Sequence, residues 1–277
     1  MTLVNPKRFM KISIHLCMRA IGLTYAEKGR VWADYLAKVD KTITLFESAN
    51  QICEDTVKCM WLFDSRIWES VKSRWGRKKL PNHQVFVSIF YRRNIVYLQS
   101  AHALASIGFI NPSSSLCRTV FESIMRGYLF VVEPEEADEY FEAINTPYEE
   151  TYNIKKRVSK LRKKLYSEEM SEAQGNFYKE LCVSSHPHVR GTLKDYPQYH
   201  QTQIRDVLNS ILLLMYGNIE LMTECFINYL DAETKEAVKQ TLKKIADCVS
   251  FTPLFEPDKE NYSSKLLLKK GNFLSAL

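Results

Sequence analysis

Apolar side chains recur every three or four residues along most of this chain, a spacing that puts them on one face of a helix. Trp32, Tyr35, Leu36, Val39, Ile43, Phe46 and Ala49 form the first stripe, which runs on through Ile52, Val57 and Trp61. It predicts a helix over about residues 31–62. Val85, Phe86, Ile89 and Phe90 alone could be a strand, but the pattern continues through Val96, Leu98, Ala101, Leu104 and Ile107, too far for one. Asn82 is placed to cap that helix and Gly108 to stop it. Asn111-Pro112 then reads as a cap followed by proline at the first helical position. The helix that follows runs to about Val132 and is apolar nearly all round. Two such helices joined by so short a connection pack as an antiparallel hairpin, the expected centre of the fold.

Further stripes complete an all-α bundle. Thr146-Pro147-Tyr148-Glu149 has the form of a capping box, with Ile154, Val158, Leu161 and Leu165 behind it. Ser167 is placed to cap a helix carrying Ala173, Phe177, Leu181 and Cys182. After Pro197, Ile204, Leu208, Ile211, Met215, Ile219, Met222 and Phe226 form a long stripe. Asp231 caps a last helix with Val238, Leu242, Ile245 and Val249. The expected organisation is an N-terminal segment (1–30), a single helical domain (31–250) and a C-terminal tail (251–277).

Composition agrees with a helical, globular chain. Of 277 residues, 45% are hydrophobic and 25% charged, and only nine are Gly and nine Pro, too few turns for a many-stranded sheet. Seven scattered cysteines without a C-x-x-C pair argue for free thiols in a reducing compartment, and a cytoplasmic location is expected. Ile211 to Met215, the richest apolar run, is far short of the ~20 residues that span a bilayer, so no membrane association is expected. The net charge of +6 permits anionic partners.

Charge is concentrated in three places. Arg118, Glu122 and Arg126 follow one another at four-residue spacing on the second hairpin helix. The structural reading is a buried ion network in which Glu122 pairs both arginines, because buried charges persist only when partnered. The functional reading has one arginine meeting the polar loop Ser184-Ser185-His186-Pro187-His188-Val189-Arg190-Gly191 and holding a phosphate or carboxylate. Lys155, Lys156, Arg157, Lys160, Arg162, Lys163 and Lys164 make a second cluster, suited to phosphate contact or to a solvated face. Finally, the basic residues of 64–82 are interleaved with Trp68 and Trp75, read as a helix end and loop with tryptophans in the core or as a stacking surface. Gln99, His102 and Ser106 share a helix face and form a polar seam.

Several chemistries lack their motifs. There is no phosphate-cradling G-x-x-x-x-G-K-[ST], no G-x-G-x-x-G and no G-x-S-x-G elbow. His186-Pro187-His188 could offer two imidazoles, but H-x-H alone does not define a metal site, so neither metal nor cofactor is expected.

Leu104-Ala105-Ser106-Ile107-Gly108, Leu116-Cys117-Arg118-Thr119-Val120-Phe121-Glu122 and Ser184-Ser185-His186 resemble a group of prokaryotic all-α proteins that pair an R-T-x-x-E helix with an S-x-H-type loop. More distantly, residues 84–230 resemble the HEPN helical superfamily of defence and toxin proteins, many of them RNases. That resemblance implies RNA as a partner and a homodimer; the residues themselves leave RNA or DNA as the expected nucleic-acid partner, with Arg118, Glu122 and His186 as the candidate catalytic polar centre. The HEPN RNase motif, Arg then four to six residues then His, is matched in spacing only by Arg77 and His83, across Pro81. Arg190 follows His186 and His188 instead of preceding them. The leading expectation is a nucleic-acid-associated helical protein of defence or mobile-element type. Its alternatives are a protein-interaction scaffold and a hydrolase with an Arg/His centre.

Overall fold

A computed structural model describes residues 46–75, 79–144, 146, 157–185, 201–249, 255, 257–263 and 265–266. Those residues form an all-α bundle: α1 (Glu47–Trp75), α2 (Asn82–Ser106), α3 (Ile110–Val132), α4 (Glu135–Ala143), α5 (Val158–Leu165), α6 (Glu168–Ser185), α7 (Gln201–Phe226), α8 (Ala232–Cys248) and the single turn α9 (Glu260–Ser263). Helices α2 and α3 make the most extensive pairing, as expected of the central hairpin. Helix α7 packs against both, α6 against α3, and α1 against α2 and α8.

Gly108 makes the hairpin turn. Its φ of 85° lies where a side chain is disfavoured, and its N–H donates to the Ala105 carbonyl while that of Phe109 donates to Leu104. The expected stop is therefore in place. The restart comes slightly earlier than the Asn111 cap suggests: α3 begins at Ile110 with Phe109 at the cap position and no capping side chain. Asn82 likewise does not cap α2. Pro81 holds that position, and the Asn82 amide donates to Asp138 Oδ1 at 2.7 Å, tying α2 to α4. The other two caps follow expectation, with Asp231 accepting from the Thr234 N–H at 2.7 Å and Ser167 Oγ from that of Met170 at 3.4 Å.

Three segments differ from the sequence reading. First, α1 does not end near residue 62 but continues to Trp75, because Met60, Phe63, Ile67 and Val71 keep a buried stripe going. Residues 64–75 are thus helix; Trp68 packs against the core and the Arg92 guanidinium lies 5.0 Å over its ring. Second, the short α4 was hidden behind its acidic first turn of Glu135, Glu136 and Asp138, which suits the positive end of a helix dipole. Its Tyr140 joins an aromatic cluster with Phe86, Phe90 and Phe130. Third, the segment read as a tail is docked where it is described: Phe255, Tyr262 and Leu266 are buried, and Tyr166 donates to the Phe255 carbonyl. Residues 31–45 and the capping box at 147–149 lie outside the described residues.

The span Gln203–Tyr229 is long and apolar enough to cross a membrane by length and composition, and 83% of its apolar window is buried inside the bundle, the pattern of a core helix. Burial all round accounts for its apolarity. At its middle, Asn94 Nδ2 of α2 donates to Asn218 Oδ1 of α7 at 3.0 Å, and both residues are fully buried. The expected polar seam is present in part: His102 Nε2 lies 2.8 Å from Asn50 Oδ1, which also accepts from Ser106.

This packing has two consequences for stability. An added Cβ at Gly217 would sit 2.7 and 2.8 Å from ring carbons of Phe255. Gly217→Ala should cost about 1–3 kcal/mol by over-packing, read as a lower urea midpoint. Burial pushes the His102 imidazole from 6.5 down to about 4. The unfolded chain therefore binds a proton that the folded chain refuses, and stability should fall as pH drops from 6.5 through about 4. That loss, on the order of 3 kcal/mol, should be largely absent in His102→Gln; equal pH dependence in both proteins would refute it.

Candidate functional site

Helix α3 carries Arg118 and Glu122 one turn apart, so the guanidinium reaches the carboxylate along a single face. Arg118 Nε donates to Glu122 Oε1 at 2.9 Å. The same oxygen accepts from the Tyr178 hydroxyl of α6 at 2.6 Å, and the Arg118 guanidinium lies 5.8 Å over the Tyr178 ring. Phe121 stacks on Tyr178 at 5.4 Å and holds it in place. The result is an arginine–glutamate–tyrosine cluster joining α3 to α6.

Its electrostatics describe a clamp. Burial works against the Arg118 charge, but the bonds to Tyr178 and Glu122 outweigh it and raise the pKa of Arg118. Burial and then the hydrogen bond to Glu122 raise that of Tyr178, so the phenol remains a donor. A protonated phenol is a poor nucleophile, and Glu122 already accepts two bonds.

Arg126 is not the second partner of Glu122. Its guanidinium lies 5.3 Å over the Tyr140 ring of α4, one turn further along. Side chains of Arg118 and Glu122 are 30% and 37% exposed, so the pair is only half-buried. His186, the third residue of the expected polar centre, lies outside the described residues, as do His188, Arg190 and Arg77. Among the described residues no group of three or more His, Cys, Asp or Glu could hold a metal ion.

The basic cluster is divided between two jobs. Leu161 and Leu165 bury one side of α5, and their neighbours Arg162 and Lys164 turn inward. Arg162 donates to the Ser171 carbonyl, and Lys164 bridges Glu133 and Glu136. The Lys164 bonds, assisted by the Tyr262 hydroxyl at 2.6 Å, overcome burial and hold the Glu133 carboxyl below its ordinary pKa. Arg157, Lys160 and Lys163 are exposed, and no carboxylate pairs with them among the described residues. Lys155 and Lys156 lie outside the described residues.

Nothing in the local pattern singles out Tyr178, which follows Phe177 as the second of two aromatics in α6. Arg92 and Arg93 could have been noticed, since two adjacent arginines interrupt an apolar helix. Arg92 Nε donates to both oxygens of buried Asp64, at 3.0 and 2.9 Å. Arg93 donates to Ser123 Oγ and lies 5.3 and 5.8 Å over the rings of Phe90 and Tyr97.

Comparison with known proteins finds no matching family model, no similar curated protein and no similar solved structure.

Because the Arg118–Glu122 pair is half-exposed, it should couple weakly. In a double-mutant cycle with Arg118→Ala and Glu122→Ala, the interaction energy should be about 1 kcal/mol or less. A value near the roughly 3–5 kcal/mol of a broken buried pair would restore the buried-network reading.

Proposed function

We propose that this chain is a nucleic-acid-associated helical protein that works in the cytoplasm and contacts RNA phosphates along the outer edge of α5. The observation that carries this reading is the exposed trio Arg157, Lys160 and Lys163, which meet no carboxylate among the described residues. Unpaired surface cations retain their long-range field, and phosphate contacts by such groups supply most non-specific nucleic-acid affinity. Arg162 and Lys164 would contribute little, since both are engaged within the protein. Cys53, Cys59, Cys117, Cys182, Cys225 and Cys248 form no disulfides among the described residues, which suits a reducing compartment. A role in defence or on a mobile element is the biological setting we attach to this reading.

A protein-interaction scaffold is the second reading. It is favoured by the exposed apolar side chains Leu62, Ile89, Val96 and Phe141.

Salt titration of single-stranded RNA binding tests the first reading. Lys160→Ala and Lys163→Ala each remove one cation, and each should reduce the slope of log affinity against log salt by about 0.7. Binding whose salt slope is unchanged in both variants, each with wild-type melting temperature, would remove α5 from the interface.

A further inference from the structure

Helix α5 supplies little of its own stability. It is eight residues long, below the roughly 12–15 residues at which isolated helices become even marginal. No side chain caps its N-terminal end. Lys160 is followed by Lys163 and Lys164, three and four residues on, so like charges repel along its surface. Burial of Leu161 and Leu165 holds one side, and Glu133 and Glu136 answer Lys164. The carbonyls of the last turn, which a helix cannot satisfy internally, need partners from beyond it.

Those partners come largely from the C-terminal segment. The Tyr166 N–H meets the Arg162 carbonyl, but Lys163 and Leu165 turn to Lys259. The Lys259 ammonium donates to the Lys163 carbonyl, and its backbone N–H donates to that of Leu165 at 3.4 Å. Beside it, Asp258 accepts from the Ser167 N–H at 2.6 Å and from the Ser167 hydroxyl. Tyr166 donates to the Phe255 carbonyl, and both Phe255 and Tyr262 are buried. Tyr262 donates to Glu133 Oε1 at 2.6 Å, while Lys164 bonds Oε2 of the same carboxylate. Lys265 Nζ completes the crossing at the end of α3, donating to the Val132 carbonyl at 3.0 Å.

We infer that the C-terminal segment is a strap that keeps α5 helical and thereby sets its affinity for RNA, with Asp258 and Tyr262 as positioning residues. The effect on binding rests on the reading of α5 as the RNA contact. A chain whose α5 is formed only part of the time binds more weakly in proportion to that fraction. The cations used in the bound state stay the same, so the salt slope does not change. Charge alone predicts the opposite for Asp258: removing a carboxylate makes the surface more positive and would tighten binding to a polyanion.

Two measurements on the full chain test the strap: amide hydrogen exchange across α5, and salt titration of single-stranded RNA binding. In Asp258→Ala the α5 amides should exchange about tenfold faster or more. The same variant should raise the RNA dissociation constant about threefold or more, at unchanged salt slope. Tyr262→Phe keeps every charge and should shift both readouts in the same direction. Unchanged α5 exchange in folded Asp258→Ala and Tyr262→Phe overturns the strap. Faster exchange with RNA affinity held or tightened, where Lys160→Ala still lowers the salt slope, overturns its link to binding. Faster exchange when no variant, Lys160→Ala included, alters RNA binding supports the strap and removes the RNA reading of α5 instead.

Discussion

The turn at Gly108 can be made in few ways: a left-handed residue, two carbonyls of the preceding helix satisfied from beyond it, and a new helix begun two residues later. That geometry sets α2 and α3 antiparallel and in contact along their length. Everything else is placed by them. Helix α7 fits into the groove they form, and Asn94 and Asn218 meet where separation would leave amides unpaired in a dry interior. Helices α1 and α6 close the two flanks, and α8 lies outside α1.

Because the hairpin is fixed, side chains from distant parts of the chain are brought to one surface. Arg93 of α2 reaches Ser123 of α3, while Arg118 and Arg126 of α3 reach rings on α6 and α4. Each of these guanidinium groups lies against an aromatic face. The stacked arrangement keeps part of the group hydrated and avoids the full desolvation cost of a buried ion. A helix that is apolar nearly all round can therefore carry three charges four residues apart without enclosing any of them. Its polar face is the seam between neighbouring helices, which explains why the spacing looked like a buried network.

Much of the fold was legible because periodicity reports helices directly. The hairpin, the stop at Gly108, the caps at Ser167 and Asp231 and the all-helical class were all written in local patterns. What was not legible depended on distant partners. Asp64 and Trp68 look like the frayed end of α1 until Arg92 arrives from the next helix to bond one and cover the other. Phe255 looks like part of a tail until the missing side chain of Gly217 gives it a place to pack. Helix α4 is only nine residues long, too short for its stripe to stand out from its acids.

The basic cluster shows how far local reading can go toward a site. Spacing alone made Lys160 and Lys164 equivalent, one turn apart on the same helix. Tertiary structure separates them: Glu133 and Glu136 draw Lys164 inward, where its charge is answered, whereas Lys160 faces out. The same distinction holds on α2 between Arg92, which finds Asp64, and Arg93, which finds only a hydroxyl and two rings. A cation whose charge is matched inside the fold contributes to the fold. One that meets only a hydroxyl and two ring faces keeps an unmatched charge, and that asymmetry is the physical reason to seek an anionic partner outside the molecule.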